Sequence, residues 1–373
     1  MQSNSPPLRK RLNLIQTFRG FAAILVTLFH LDQLSSEKLQ EAFLFNFFKF
    51  GWAGVDFFFV LSGFIIIYAH RNEIGIQNKE KYKEFWLKRF IRIYPAYWVV
   101  TLIVLCFILI VPSLKNYDLN LSIITSFVIY PKKYPPIISV SWTLALEIAF
   151  YFIFSLTILL RARFYIPIIT LWIFGAITQF IGAFSMASDN PWLRTLFNGL
   201  NIEFALGGLA AYLVLHYNIS YRKTLLFTGI FIFLLFGVFR SYSLIGDVET
   251  IVFLNTKIFI DRVVFFGIPS FLIVMGAASI DINKEPKIPD FFNYLGDASY
   301  SIYLTHGPVI SALVQLEAKL NLERFLGNSL TIALLIGLIT ISIGCLFYSV
   351  IEKPLIGFLR QNLLKRKAPT KLA

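Results

Sequence analysis

The sequence predicts an all-α fold, a polytopic integral membrane helix bundle of about ten transmembrane helices with both termini cytoplasmic. Three observations carry that reading. First, 57% of the 373 residues are hydrophobic and only 15% are charged, where a soluble domain carries about 45–50% and about 25%. Second, the mean hydropathy is +0.69, and 40 Phe, 17 Tyr and 6 Trp suit lipid contact and interfacial belts. Third, apolar runs of about 20 residues, the length that crosses a bilayer core, recur along the chain. Disorder, which needs low hydrophobicity and high charge, is excluded. The net charge of +13 falls mostly in short links between the runs. It points to membrane orientation and anionic headgroups, and no nucleic-acid partner is expected.

In order, the spans read as 13–31, 50–69, 94–113, 141–160, 164–184, 195–215, 224–240, 258–280, 294–314 and 329–350. The first follows a basic tail and lacks a small-residue cleavage site, so it is expected to be retained. The segment LSIITSFVIY (121–130) is too short to span, and reads as re-entrant or interfacial. An extra crossing there would invert everything downstream. With the N-terminus inside, 22 of the 34 Lys and Arg fall on the inner side and 10 on the outer, while Arg19 and Arg262 lie within spans. That bias is the positive-inside pattern. Residues 1–12 form a basic cytoplasmic N-terminal tail, 13–351 the transmembrane domain and 352–373 a basic cytoplasmic C-terminal tail. Cys106 and Cys345 sit in apolar runs and read as two buried thiols rather than a disulfide framework or zinc site. Gly207-Gly208, with Ala205, Ala210 and Ala211, reads as close helix packing.

Ionisable residues inside a bilayer are costly and mark function. Arg19 and His30 are 11 residues apart; at 100° per residue they lie about 20° apart on one helix face, about 16 Å along the axis. They suggest a lined path with a cation deep in the protein and an acid/base group at its far mouth. Asp56, in the second span, is expected to pair with Arg19 or His30. Arg89 and Arg92, i and i+3 on one face at the inner end of the third span, suit a phosphate or pyrophosphate. Ser139-Val140-Ser141-Trp142-Thr143-Leu144-Ala145-Leu146-Glu147 opens the fourth span, and Glu147 could orient a histidine. Ser139, Ser141, Trp142 and Thr143 are all candidate oxyanion donors. Glu203, Asp261 with Arg262, and Asp297 with Tyr300, Tyr303 and His306 are further candidates; His306 is a second candidate base. Glu352-Lys353-Pro354 reads as a helix stop with a local charge pair. Each cluster also has a plain structural reading as snorkelling, belt or ion-pair residues.

Taken in order, these elements resemble the acyltransferase-3 family of polytopic membrane acyltransferases over roughly residues 10–355. The carriers are Arg19 with His30, the Phe-rich Ser-Gly-Phe segment 57–64, Arg89 with Arg92, Trp142-Thr143-Leu144 with Glu147, the segment 297–306, and Glu352-Lys353-Pro354. Gln16-Thr17-Phe18-Arg19-Gly20 resembles the branch of exopolysaccharide O-acetyltransferases (ExoZ-like), with Gln16 where many members carry an acid. The resemblance implies transfer of an acyl group, usually acetyl, from cytoplasmic acetyl-CoA or another acyl-CoA to a hydroxyl of a surface polysaccharide or lipid-linked saccharide. It implies a bacterial inner (plasma) membrane location. On it, His30 and Glu147 are the catalytic candidates, Arg19, Arg89 and Arg92 the donor-binding ones, and Asp56, Trp142, Asp297 and His306 accessory. The thioester supplies the driving force, so no metal is expected. Direct transfer and a transient acyl-histidine both fit. The rival class is a transporter or flippase without chemistry, which shares midplane charges.

Overall fold

The computed structural model describes residues 11–39, 45–110, 119–131, 136–180, 190–242, 251–253, 256–258, 261–284, 286–320 and 328–364. Its helices are α1 (Asn13–Leu39), α2 (Gly54–His70), α3 (Lys79–Ile110), α4 (Leu119–Phe127), α5 (Ser141–Leu159), α6 (Ala162–Phe180), α7 (Pro191–Leu196), α8 (Asn201–His216), α9 (Arg222–Ser241), α10 (Ile268–Lys284), α11 (Asp290–Leu320), α12 (Ser329–Phe347) and α13 (Lys353–Leu364). A π-helical turn, Asp261–Gly267, leads into α10, and another, Tyr348–Glu352, joins α12 to α13. The strands Ile251–Phe253 and Thr256–Ile258 pair as a short antiparallel ribbon in one link.

Among the described residues, nine helical segments are long and apolar enough to cross a bilayer. α11 is not among them. It has 31 residues but is more polar, carrying Asp290, Asp297, Glu317 and Lys319. α5 runs antiparallel to α3 and ends where the Gly75 N–H donates to the Thr157 carbonyl at 2.7 Å. α4 does not cross: nine residues span about 14 Å. It turns back to the middle of α3, where the Tyr97 hydroxyl donates to the Ser126 carbonyl at 2.9 Å and the Trp98 indole to the Phe127 carbonyl at 2.8 Å. The segment 121–130 is therefore too short to span, as expected. With it uncounted, α1 and α11 run the same way.

Glycines decide which helices meet. A Cβ on Gly207 would lie 1.8 Å from the Val60 carbonyl oxygen, so α8 can lie on α2 only with glycine there. That is the close packing expected of Gly207-Gly208. Asp281, near the end of α10, receives the Leu14 and Ile15 amides at 2.9 and 3.1 Å and caps the first turn of α1. Cys106 differs from expectation, for it lies on the exposed face of α3.

The end of the last span also differs. Glu352-Lys353-Pro354 is not a stop: Lys353 and Pro354 start α13, where proline is tolerated because first-turn amides lack helical partners anyway. Glu352 is fully buried and pairs with Arg92, not with Lys353. The π turn swings its carboxylate inward, out of reach of a neighbour in sequence.

Candidate active site

The site takes its register from α1 and α11, which come from opposite ends of the chain and lie side by side, parallel. A Cβ on Gly296 would sit 2.1 Å from the Gln16 carbonyl oxygen, and one on Gly20 would sit 3.0 Å from the Leu295 Cβ. The two backbones therefore touch, and Ala23 packs with Ala298 and Ile302 one turn further on. Three turns beyond Gly20, His30 meets His306: His306 Nε2 is 3.2 Å from His30 Nδ1, with the ring centroids 4.8 Å apart.

Acceptors fix the protons of this pair. His306 Nδ1 lies 2.7 Å from the Tyr303 carbonyl, which can only accept, so this nitrogen carries a proton. In the uncharged ring His306 Nε2 is then an acceptor. His30 Nδ1 lies between that nitrogen and the Val26 carbonyl at 3.0 Å, so it carries the proton shared by both. The remaining nitrogen, His30 Nε2, is left with its lone pair. Glu147 has other partners. Its carboxylate accepts from the Ser62 hydroxyl at 3.2 Å and from the Tyr151 hydroxyl one turn along the same helix. The group that holds His30 is His306, because α1 packs on α11 at this level.

A cavity of about 490 Å³ lies beside this helix pair. Arg19, Arg89, Arg92 and Glu147 all line it, so four of the five principal candidates share one space. Lys88, Arg89 and Arg360 line it from α3 and α13, and Phe58, Phe59, Thr143 and Tyr303 line it from α2, α5 and α11. His30 and His306 lie behind Tyr303, whose ring is 5.6 Å from that of His306 and 5.9 Å from that of Phe58. The path expected between Arg19 and His30 is thus interrupted by two aromatic rings. Thr143 donates to the Val140 carbonyl at 2.8 Å, which makes the Tyr303 hydroxyl the donor in their 2.9 Å contact. Of the serines and threonine considered as oxyanion donors, Ser139 faces Gly307, next to His306.

The cavity's cations differ in how they are held. Arg19 donates to the Gln16 amide oxygen at 3.0 Å. Arg92 pairs with the buried Glu352, whose other oxygen accepts from Ser301 at 2.5 Å, and lies 5.2 Å over the Tyr300 ring. Arg89 lies 5.5 Å from the rings of both Phe85 and Tyr151, and its Nη2 is 3.4 Å from His70 Nε2. Its Nε is buried without a hydrogen-bond partner.

The accessory candidates lie elsewhere. Asp56 pairs with neither Arg19 nor His30: it takes both prongs of Arg262, at 2.9 and 3.1 Å. It opens α2 at the end where the π turn delivers Arg262, a level above Arg19. Trp142 is half-exposed, 5.8 Å from the Arg262 guanidinium. Asp297 pairs with Arg11 at 2.9 Å near the chain terminus. Glu203 is fully buried, and the side chain of Asp261 lies outside the described residues. Sequence reasoning missed Lys88, Tyr151, His70 and Arg360. Lys88 and Tyr151 are each within four positions of a residue it singled out. Arg360 falls in the segment 352–373 that it expected as a tail.

Comparison with known proteins adds a family. A family model described as "Acyltransferase domain", acyltransferase-3, matches residues 13–349. The chain is 29% identical over 326 residues to "Exopolysaccharide production protein ExoZ" of Rhizobium meliloti, covering 83% of this chain and 90% of that one. It is 30% identical over 177 residues to "Acyltransferase MdmB" of Streptomyces mycarofaciens, 45% of this chain and 44% of the relative. It is 26% identical over 325 residues to "O-acetyltransferase OatA" of Staphylococcus aureus, 78% of this chain and 49% of the relative. No solved structure matches the chain.

Proposed function

The chain belongs to the acyltransferase-3 family and is a membrane acyltransferase, and from that premise we propose that it moves an acetyl group from cytoplasmic acetyl-CoA to a hydroxyl of a surface polysaccharide on the outer side of a bacterial inner membrane. The observation that carries the reading is the alignment of one cavity with one helix pair. Lys88, Arg89 and Arg360 in its lining are cationic, and Phe58 and Tyr303, also in its lining, stand between it and the His30–His306 pair.

In this reading the donor's phosphates sit at the cationic mouth, and its flexible arm runs past Arg19 toward Phe58 and Tyr303. His30 Nε2 takes the proton of the acceptor hydroxyl as that oxygen attacks the thioester carbonyl carbon. A C–O bond forms, the C–S bond breaks, and the sulfur leaves as the thiol with the proton returned by His30. His306 acts through His30, holding its tautomer and sharing the charge that develops on it. Glu147 is the carboxylate of the donor cavity, fixed by Ser62 and Tyr151. The name of the ExoZ relative, at 90% coverage of its length, favours an exopolysaccharide acceptor.

The test uses the full chain in sealed proteoliposomes, with labelled acetyl-CoA on the Arg89 side and a hydroxyl-bearing oligosaccharide on the other. Label on the oligosaccharide is expected, and His30→Ala is expected to abolish it while membrane insertion is kept. Transport of label without a new ester bond, or full activity in His30→Ala, overturns the reading.

A further inference from the structure

The two arginines that the sequence offers as a phosphate clamp are not equivalent. Arg92 already faces a fully buried carboxylate, Glu352. A guanidinium so paired presents little net charge to a ligand. Among the described residues Arg89 has no carboxylate partner: it rests on two rings and an imidazole, with a buried Nε unpartnered. Lys88, beside it, is bridged to Glu84 at 2.6 Å. A further cation comes from outside the expected motif. α13 brings Arg360 to the same mouth, exposed, with no ion pair to a carboxylate of the described residues. Two like charges drawn to one mouth without a counter-ion repel each other, and a doubly charged oxyanion between them removes that cost.

We infer that Arg89 and Arg360 together form an anion site for a phosphate, and that Arg92 holds the wall of that site rather than the ligand. Glu352 ties α13 to α3 through Arg92 and to α11 through Ser301. The helix carrying Arg360 is therefore anchored by the pair that removes Arg92 from phosphate duty. The inference rests on the proposed donor, for acyl-CoA brings both a pyrophosphate and a phosphomonoester to this mouth. An anionic lipid headgroup offers the same chemistry, so the test separates the two.

The full-length protein is assayed in nanodiscs of phosphatidylcholine alone, with either acetyl-CoA or acetyl-pantetheine, which lacks phosphates, as donor. Arg360→Gln is expected to raise KM for acetyl-CoA about tenfold, one lost charge-assisted contact, and to leave KM for acetyl-pantetheine where it was. Arg360→Lys recovers part of the loss. Unchanged KM for acetyl-CoA, or an equal rise with both donors, overturns the inference. So does an effect that appears only when anionic lipid is added, which assigns Arg360 to headgroups. Absence of transfer from either donor by the wild-type protein is a separate outcome, and it overturns the proposed function itself.

Discussion

His306 Nε2 stands 3.2 Å from His30 Nδ1, across two parallel helices whose residues are 276 positions apart in the chain. The contact gives His30 a single tautomer with its base nitrogen free. His306→Ala removes the acceptor and lets the ring turn; His306→Gln offers an amide oxygen in its place. The alanine variant is expected to lose about 10²-fold in kcat, the lower range for a positioned acid/base group, with the glutamine variant in between. Acetyl transfer at saturating donor measures it. Equal activity in all three proteins would show that the tautomer is set by the Val26 carbonyl alone.

The register behind that contact depends on Gly296. Alanine there must push α1 and α11 apart, since its Cβ would meet the Gln16 carbonyl oxygen at 2.1 Å. Overpacking of this kind costs about 1–3 kcal/mol. Gly296→Ala should lower Tm and kcat together, while Gly20→Ala, with 3.0 Å to the Leu295 Cβ, should do less of both. Thermal unfolding of the two purified variants compares them. A Gly20 variant as damaged as the Gly296 one contradicts the geometry.

Much of this fold is legible in the sequence because a bilayer imposes a length and an apolar composition on each crossing. Nine of the ten expected spans, the short length of 121–130 and the shared face of Arg89 and Arg92 all follow from local patterns. Which helices touch does not. Gly20 and Gly296 look like any other glycines until the backbones are brought together, and so the neighbour of His30 was legible only as a second candidate base, His306. Glu352 misled for a similar reason: Glu-Lys-Pro is a plausible helix stop by local rules, and only the π turn Tyr348–Glu352 turns its carboxylate onto Arg92. Arg360 disappeared with it into an expected tail.

The Arg92–Glu352 pair is asymmetric, and so is the expected cost of breaking it. The Glu352 side chain is fully buried, whereas that of Arg92 is 26% exposed. Arg92→Gln strands a carboxylate with no water, while Glu352→Gln leaves a guanidinium that reaches some. Loss of one partner of a buried pair costs about 3–5 kcal/mol, and Arg92→Gln is expected at the upper end. The double variant should recover part of the loss. Thermal unfolding in one detergent checks the order; Glu352→Gln as the less stable single variant reverses the argument.

Phe58 and Tyr303 line the cavity on the side of the His30–His306 pair, with ring centroids 5.9 Å apart. An acyl group that reaches His30 must pass them, so their bulk sets how long a chain is tolerated. Phe58→Ala removes one ring and opens room for about two to three methylenes, each contributing about 0.8 kcal/mol of burial. The ratio of kcat/KM for butyryl-CoA over acetyl-CoA is expected to rise about tenfold, a typical discrimination for one or two methylenes in an apolar pocket. The measurement is a competition assay with both donors and mass detection of the product esters. A ratio that does not move places the acyl group elsewhere than behind Phe58, and with it the approach of the thioester to His30.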